Sequence, residues 1–162
     1  MPKNAPQSRK SRHFDSPEQE AFLNLWRTYD RLHAAEEELF GRYDLTPQQY
    51  NVLRLLRGEH PVRIPTLTLA SRLVSRAPDI TRILDKLDVQ KLIVRERPES
   101  NRRQVLIGIT ELGLGLLARL DDDVRACHTH QLGHMPADQL TILTRLLKQA
   151  RAPHESEDSP WR

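Results

Sequence analysis

Between Leu69 and Gly113 the apolar residues change period, and that change leaves few folds open. Leu69, Ala70 and Leu73 share one helical face. Ile80, Ile83, Leu84 and Leu87 recur at i, i+3, i+4 and i+7, the stripe of a second short helix. Val74, Ser75 and Arg76 leave room only for a tight turn between them. Two β-rich runs follow, Leu92–Arg95 and Val105–Ile109, on either side of a polar tip that carries Arg102 and Arg103.

Two helices joined by a tight turn and followed by a hairpin form a winged helix-turn-helix, with one helix for the major groove and a β-wing beside it. In the second helix Ser75 is the expected N-cap and Pro78 falls in the first turn, where a missing N–H costs little. Opposite the apolar stripe lie Pro78, Arg82, Asp85 and Val89, with Lys86 nearby. Taken alone, Arg82 and Lys86 read as a solvated helix face, because exposure is the default for such charges. The wing adds a second feature. Glu99, Ser100 and Asn101 are turn residues, and Arg102 and Arg103 follow them on a tip with no packing role. Such a tip suits an arm that reaches a minor groove or a phosphate backbone.

Charge follows the same segment. The whole chain of 162 residues carries a formal +3, whereas Val62–Gln104 holds ten Lys/Arg against five Asp/Glu, so the remainder is slightly acidic. A basic patch confined to one motif is a nucleic-acid footprint, although membranes and acidic proteins attract basic surfaces too.

The segment resembles the MarR (multiple antibiotic resistance regulator) family of bacterial transcription factors. Leu69-Ala70-x-x-Leu73 is similar to the family's first motif helix, and Thr81-Arg82-x-x-Asp85-x-Leu87 to its recognition helix. Asn101-Arg102-Arg103-x-Val105-x-Ile107-x-Ile109-Thr110-x-x-Gly113 is similar to its wing and the start of the next helix. Helix order and length extend the likeness from Ser16 to Arg151. Two positions depart from the family. Asn101 stands where the family usually has an Asp that braces the wing arginine, and Lys91 where it usually has a Gly that ends the recognition helix. Lys91 must adopt a left-handed conformation at a cost, or the helix ends differently.

The flanking segments read as helices. Ser16, Pro17 and Gln19 open the first, with Phe22, Leu25, Tyr29, Leu32 and Leu39 on one face up to Arg42. Thr46, Pro47 and Gln49 open the second, with Tyr50, Leu53 and Leu56 inward and Gly58 as its stop. Val62–Ile64 can add a short strand to the wing sheet, and Thr66 opens the next helix. Thr110 starts a long helix lined by Leu112, Leu116, Leu117, Leu120 and Val124, and Gly133 closes it. Pro136 opens the last, which carries one stripe of Leu140, Leu143, Leu147 and Ala150 and a second of Ile142 and Leu146. A helix apolar on two sides needs two partners, which fits a homodimer built from the first and last helices, as the resemblance also implies. The expected class is mainly α with a small β-wing, in a single domain over 15–152. The winged helix-turn-helix spans about 46–110 within it, flanked by dimerisation helices at about 16–42 and 111–151. Residues 1–14 are expected to be a disordered basic tail, and 153–162 a polar, frayed one.

The implied partner is double-stranded DNA, bound by a two-fold dimer on a pseudo-palindrome. Candidate contacts are Ser75, Arg76, Ala77, Pro78, Thr81, Arg82, Lys86, Asn101, Arg102 and Arg103, with Arg82 in the major groove and Arg102 in the minor groove. Arg103 has a second role open to it, bracing the wing from within. Asp79 suits the positive helix N-terminus, and Asp85 is placed one turn from Arg82 to orient it or to form a plain surface pair. The resemblance implies a small aromatic or phenolic effector. Trp26, Tyr29, His33 and Tyr50 lie on helices that would border its cleft, although a core role is the plainer reading of each. Cys127, His130 and His134, with His128 nearby, have the i, i+3, i+7 spacing of a zinc site. A surface histidine cluster is the plainer reading, since Gly133 breaks the helix before His134.

No enzyme is expected. There is no His-Glu-x-x-His, and Gly108, Gly113 and Gly115 lack phosphate-loop spacing. No cofactor is called for. The rivals are a metal-sensing regulator of the same fold and a winged helix that docks protein without specific DNA binding. Without a signal peptide or a long apolar run no membrane partner is expected, and a lone cysteine suits a reducing cytoplasm.

Overall fold

The structure is a computed structural model and describes residues 14–74 and 79–162. Contacts divide the chain into two units within the first helix, one ending at Ala34 and the other spanning Ala35–Arg162. Helix α1 runs Pro17–Gly41. Its start differs slightly from a simple capping box. Ser16 Oγ accepts from the Gln19 N–H at 3.2 Å, but the Gln19 side chain reaches back to the Asp15 N–H at 2.8 Å. In the first unit Phe22, Leu25, Trp26 and Tyr29 are exposed. Phe22 lies against Trp26 with ring centroids 6.0 Å apart, and Tyr29 stacks on His33 at 5.0 Å.

The second unit holds the core. Helix α2 (Pro47–Glu59) begins with the expected capping box: Thr46 Oγ1 accepts from Gln49 N–H, and Gln49 Oε1 accepts from Thr46 N–H. Gly58 does not stop it. The helix passes through Gly58 and ends at His60, just before Pro61, which has no N–H to extend it. Strand β1 (Ile64–Pro65) leads into α3 (Thr66–Arg72), then α4 (Ile80–Val89), β2 (Ile93–Glu96) and β3 (Leu106–Ile109). The three strands form an antiparallel sheet in the order β1-β3-β2, with Ile64 opposite Ile107 and Arg95 opposite Ile107 from the other side. The expected wing strands and the added third strand are therefore present, the third only two residues long.

Val52, Leu53, Leu56, Leu69, Leu84, Leu87 and Ile107 are fully enclosed together with Leu117 and Leu120 of α5 (Glu111–Leu132). Thr110 caps α5 by accepting from Gly113 N–H at 3.1 Å. Gly133 is its C-cap, although its backbone stays right-handed (φ −68°). Two pairs of side chains tie α5 to its neighbours. Arg57 of α2 donates to both oxygens of Asp121 at 2.8 and 3.0 Å, and the Tyr43 hydroxyl donates to Asp123 at 2.8 Å.

Helix α6 (Ala137–Arg151) buries none of its residues, and Ile142, Leu146 and Leu147 stand exposed. The segment after it is not frayed. A 3-10 turn (Ala152–His154) reverses the chain, and the Arg151 guanidinium donates twice to the Trp161 carbonyl, at 3.1 and 2.9 Å. An ion pair from Arg151 to Glu155 at 3.4 Å completes this closure. Among the described residues no helix is long and apolar enough to cross a membrane.

Candidate nucleic-acid interface

Helix α4 is held at both ends by polar bonds and along one side by packing. Leu84 and Leu87 are buried and Ile80 and Ile83 half-buried, so the stripe read from the sequence is the anchored face. The observed N-cap is Asp79, whose Oδ1 accepts from Arg82 N–H at 2.9 Å. A carboxylate there suits the positive end of the helix. The expected cap Ser75, together with Arg76, Ala77 and Pro78, lies outside the described residues.

At the other end Lys91 takes the left-handed conformation (φ 59°) that the family usually gives to glycine. The Leu92 N–H reaches Leu87 O at 3.0 Å and the Lys91 N–H reaches Asp88 O at 2.8 Å, the paired bonds of a Schellman motif. Both Leu87 and Leu92 are buried, which supplies the apolar contact that accompanies such an ending. The carbonyls of the turn are then used again. Lys91 O accepts from the Thr110 hydroxyl at 2.8 Å, and Leu92 O from the Thr110 N–H at 3.1 Å. The end of α4 and the start of α5 are thus one bonded junction.

The wing tip is ordered by Asn101. Its N–H donates to Pro98 O, its carbonyl accepts from Gln104 N–H, and its side-chain oxygen accepts from the Arg103 N–H at 3.3 Å. The amide therefore braces the backbone of Arg103 where the family's acid is thought to brace a guanidinium. Arg102 and Arg103 are exposed. Arg95, Arg97 and Arg103 line a cleft of about 540 Å³ at the wing root, together with Thr81 of α4 and Thr66 of α3.

The acids of this region are largely spent inside the motif. Asp79 caps α4. Glu96 pairs with Arg63, whose stem crosses Gly108: a Cβ there would lie 2.9 Å from Arg63 Cγ. Asp85 does not orient Arg82. It accepts instead from Arg95 of β2 at 2.7 Å, and Asp88 lies 3.5 Å from the same guanidinium. A cross-element partner wins here because the strand arginine is half-covered and adjacent, whereas an exposed i, i+3 pair is worth only about 0.2–0.5 kcal/mol. Arg82, Lys86, Arg97, Arg102 and Arg103 are left exposed, with no side-chain partner among the described residues. Thr81 is exposed beside them.

The remaining candidates fall elsewhere. Trp26, Tyr29 and His33 belong to the first unit described above, where Trp26 and Tyr29 are exposed and not core residues, because nothing among that unit's described residues covers this face of the helix. Tyr50 is half-buried in the second and stacks on Phe40 at 4.4 Å, and burial pushes its phenol above the usual range. Cys127 packs against the core, and burial pushes its thiol up, which favours the neutral form over the thiolate a metal or an oxidant needs. His128 lies 3.6 Å from Glu36. Among the described residues no three His, Cys, Asp or Glu side chains, Cys127, His130 and His134 included, gather closely enough to share a metal ion.

Comparison with known proteins agrees with this architecture. The model of the MarR family matches residues 45–105. A MarR transcription factor from Planctomyces limnophilus is 52% identical, covering 85% of this chain and 99% of its own, with a TM-score of 0.67. The homoprotocatechuate degradative operon repressor of Escherichia coli is 28% identical over 121 residues, which is 74% of this chain and 80% of the repressor. A mutant MarR from E. coli, solved in complex with operator DNA, shares the fold with a TM-score of 0.73 at 22% identity, covering 81% of this chain and 93% of its own.

Proposed function

The chain belongs to the MarR family of transcriptional regulators, and from that premise we propose that it is a homodimeric repressor of a pseudo-palindromic operator, released by a small molecule. One observation carries the DNA-binding part. Four of the five acids in the motif are occupied by internal partners, while Arg82, Lys86, Arg102 and Arg103 stand exposed on the recognition helix and wing. Arg82 takes a guanine edge in the major groove, Arg102 the minor groove, and Lys86 and Arg103 the phosphates between. Thr81 and Asn101 add neutral donors. A bacterial regulator of this kind would meet its duplex in the cytoplasm, a reading that rests on the family resemblance.

Dimerisation is supported by the helices that the single chain leaves uncovered. Helix α6 buries nothing, and the first half of α1 exposes Phe22, Leu25, Trp26 and Tyr29. Apolar surface on two helices calls for a partner, and a two-fold partner supplies two recognition helices about one turn of DNA apart. Repression is supported by the E. coli relative whose name is that of an operon repressor. The small aromatic effector rests on the family resemblance.

The test is binding to the DNA upstream of its own coding region, and to fragments selected from the whole genome, across a salt series. Wild type is expected to select a pseudo-palindrome with a steep salt slope, and Arg82→Ala to bind it about five- to a hundredfold more weakly, the range set by losing one base contact. Weak binding that ignores sequence and tolerates Arg82→Ala refutes the reading and points to a winged helix that docks protein.

A further inference from the structure

Two carboxylates sit on the recognition helix, where phosphates would meet them. Asp85 and Asp88 are three residues apart, so on α4 they are like charges on neighbouring positions and repel each other. One cation answers both. Arg95 Nη2 donates to Asp85 Oδ1 at 2.7 Å, and Arg95 Nε lies 3.5 Å from Asp88 Oδ2. That Nε is buried and makes no hydrogen bond, so Asp88 meets it as an ion pair alone and Asp85 supplies the bond that fixes the guanidinium's place. Arg95 stands in the middle of β2, opposite Ile107 of β3, and so belongs to the rigid part of the wing.

The alternative partner for Asp85 is one turn back. Arg82 precedes it at i, i+3, a spacing at which helix side chains of opposite charge meet. Arg82 has no side-chain partner among the described residues, because Asp85 is turned to the strand. The Arg95 pair therefore leaves free the guanidinium that DNA recognition needs.

Resting on the DNA-binding reading above, we propose that Arg95 is a positioning residue for operator recognition: it holds Asp85 and Asp88 against the wing, leaves Arg82 free for a base edge and fixes the wing to the recognition helix. Arg95 itself touches no base in this scheme. Without it, Asp85 turns back to Arg82, one base contact is shared with a carboxylate, and two unneutralised acids face the phosphates. The first effect weakens specific binding more than non-specific binding, because the base contact is what the operator adds, whereas the acids weaken both.

The experiment measures the dissociation constants for the selected operator and for random DNA of equal length. The proteins are wild type, Arg95→Ala, Asp85→Ala and the double variant, each checked for folding by circular dichroism. Arg95→Ala is expected to bind the operator about tenfold more weakly and to narrow the operator-to-random ratio. Removing Asp85 as well restores most of the loss, since no carboxylate is left to capture Arg82. A merely structural role predicts no such rescue. Should Arg95→Ala fail to fold, Arg95→Lys decides: a several-fold loss relieved by Asp85→Ala supports the proposal, and no loss or an unrelieved one overturns it. Wild-type protein that prefers no sequence overturns the DNA-binding reading and the proposal with it. Wild-type selectivity that survives Arg95→Ala overturns the proposal alone.

Discussion

Gly113→Ala tests the junction on which the recognition helix depends. Gly113 lies in the first turn of α5, where a Cβ would stand 2.4 Å from the Leu92 carbonyl oxygen and 2.7 Å from Ile109 Cγ1. The first of these is backbone and cannot rotate away. Moving it disturbs the bond that Leu92 O accepts from Thr110 N–H and, next to it, the left-handed ending of α4. Alanine in place of glycine gains about 1 kcal/mol of helix propensity. Against this stand an overpacking cost of about 1–3 kcal/mol and about 1 kcal/mol for a weakened hydrogen bond. The expected net loss is about 2 kcal/mol, a melting temperature lower by about 4–8 °C for a chain of this size. Gly115 is the control. It lies two residues on in the same helix, a Cβ there meets nothing within 4 Å, and Gly115→Ala should gain up to about 1 kcal/mol. Urea unfolding of the two variants and wild type at one fixed protein concentration reads both effects. A Gly113→Ala protein as stable as wild type, or two variants that shift the same way, would refute the close-approach argument.

Two further outcomes follow from single positions. Lys91→Gly relieves a left-handed residue at about 1–2 kcal/mol and loosens the unfolded chain at about 0.4–1 kcal/mol, so its unfolding free energy should rise by a net of roughly 0.5–1 kcal/mol, read as a higher urea midpoint; a fall would mean that the Lys91 side chain makes a contact of its own. Burial favours the neutral Cys127 thiol, so its contribution to stability is full below the ordinary thiol pKa and is lost as pH rises through the higher folded-state value. Thiol-reagent labelling of the native protein at pH 8 should therefore be slower than that of a free cysteine peptide and should rise on denaturation, and equal rates would remove the burial argument.

What could be read from the sequence was what neighbours in sequence decide. Thr46, Pro47 and Gln49 fix the start of α2 within four residues, and the cap forms as expected. The α4 stripe and the wing strands came from period alone and fall within a residue or two of the observed elements. Helix ends were less legible, because glycine is a guide only where the chain needs its freedom. Gly58 lies inside α2. The left-handed endings are instead made by Asp44 (φ 54°) after α1 and Lys91 after α4. In each case the next residue, Leu45 or Leu92, is buried, and its N–H closes the last turn on Phe40 O or Leu87 O. Burying that leucine offsets the strain of a non-glycine residue, and such burial is a tertiary fact.

Charge partners were the least legible, for a geometric reason. Consecutive helix residues point about 100° apart, so the run Asp121, Asp122, Asp123 is three separate sites: one bonds Arg57, one Arg125 and one the Tyr43 hydroxyl. Asp85 shows the same limit from the other side, since spacing offers it Arg82 and the fold gives it Arg95. Counting charge along the motif therefore gives its net charge but not where the positive field lies. An acid paired to a neighbouring arginine cancels that arginine at close range, leaving little field at the distance of a phosphate, and the cations without internal partners set the surface potential. Among the described residues of the motif those are Arg82, Lys86, Lys91, Arg97, Arg102 and Arg103, and what a duplex meets depends on whether Arg95 keeps Asp85 and Asp88 turned to the wing.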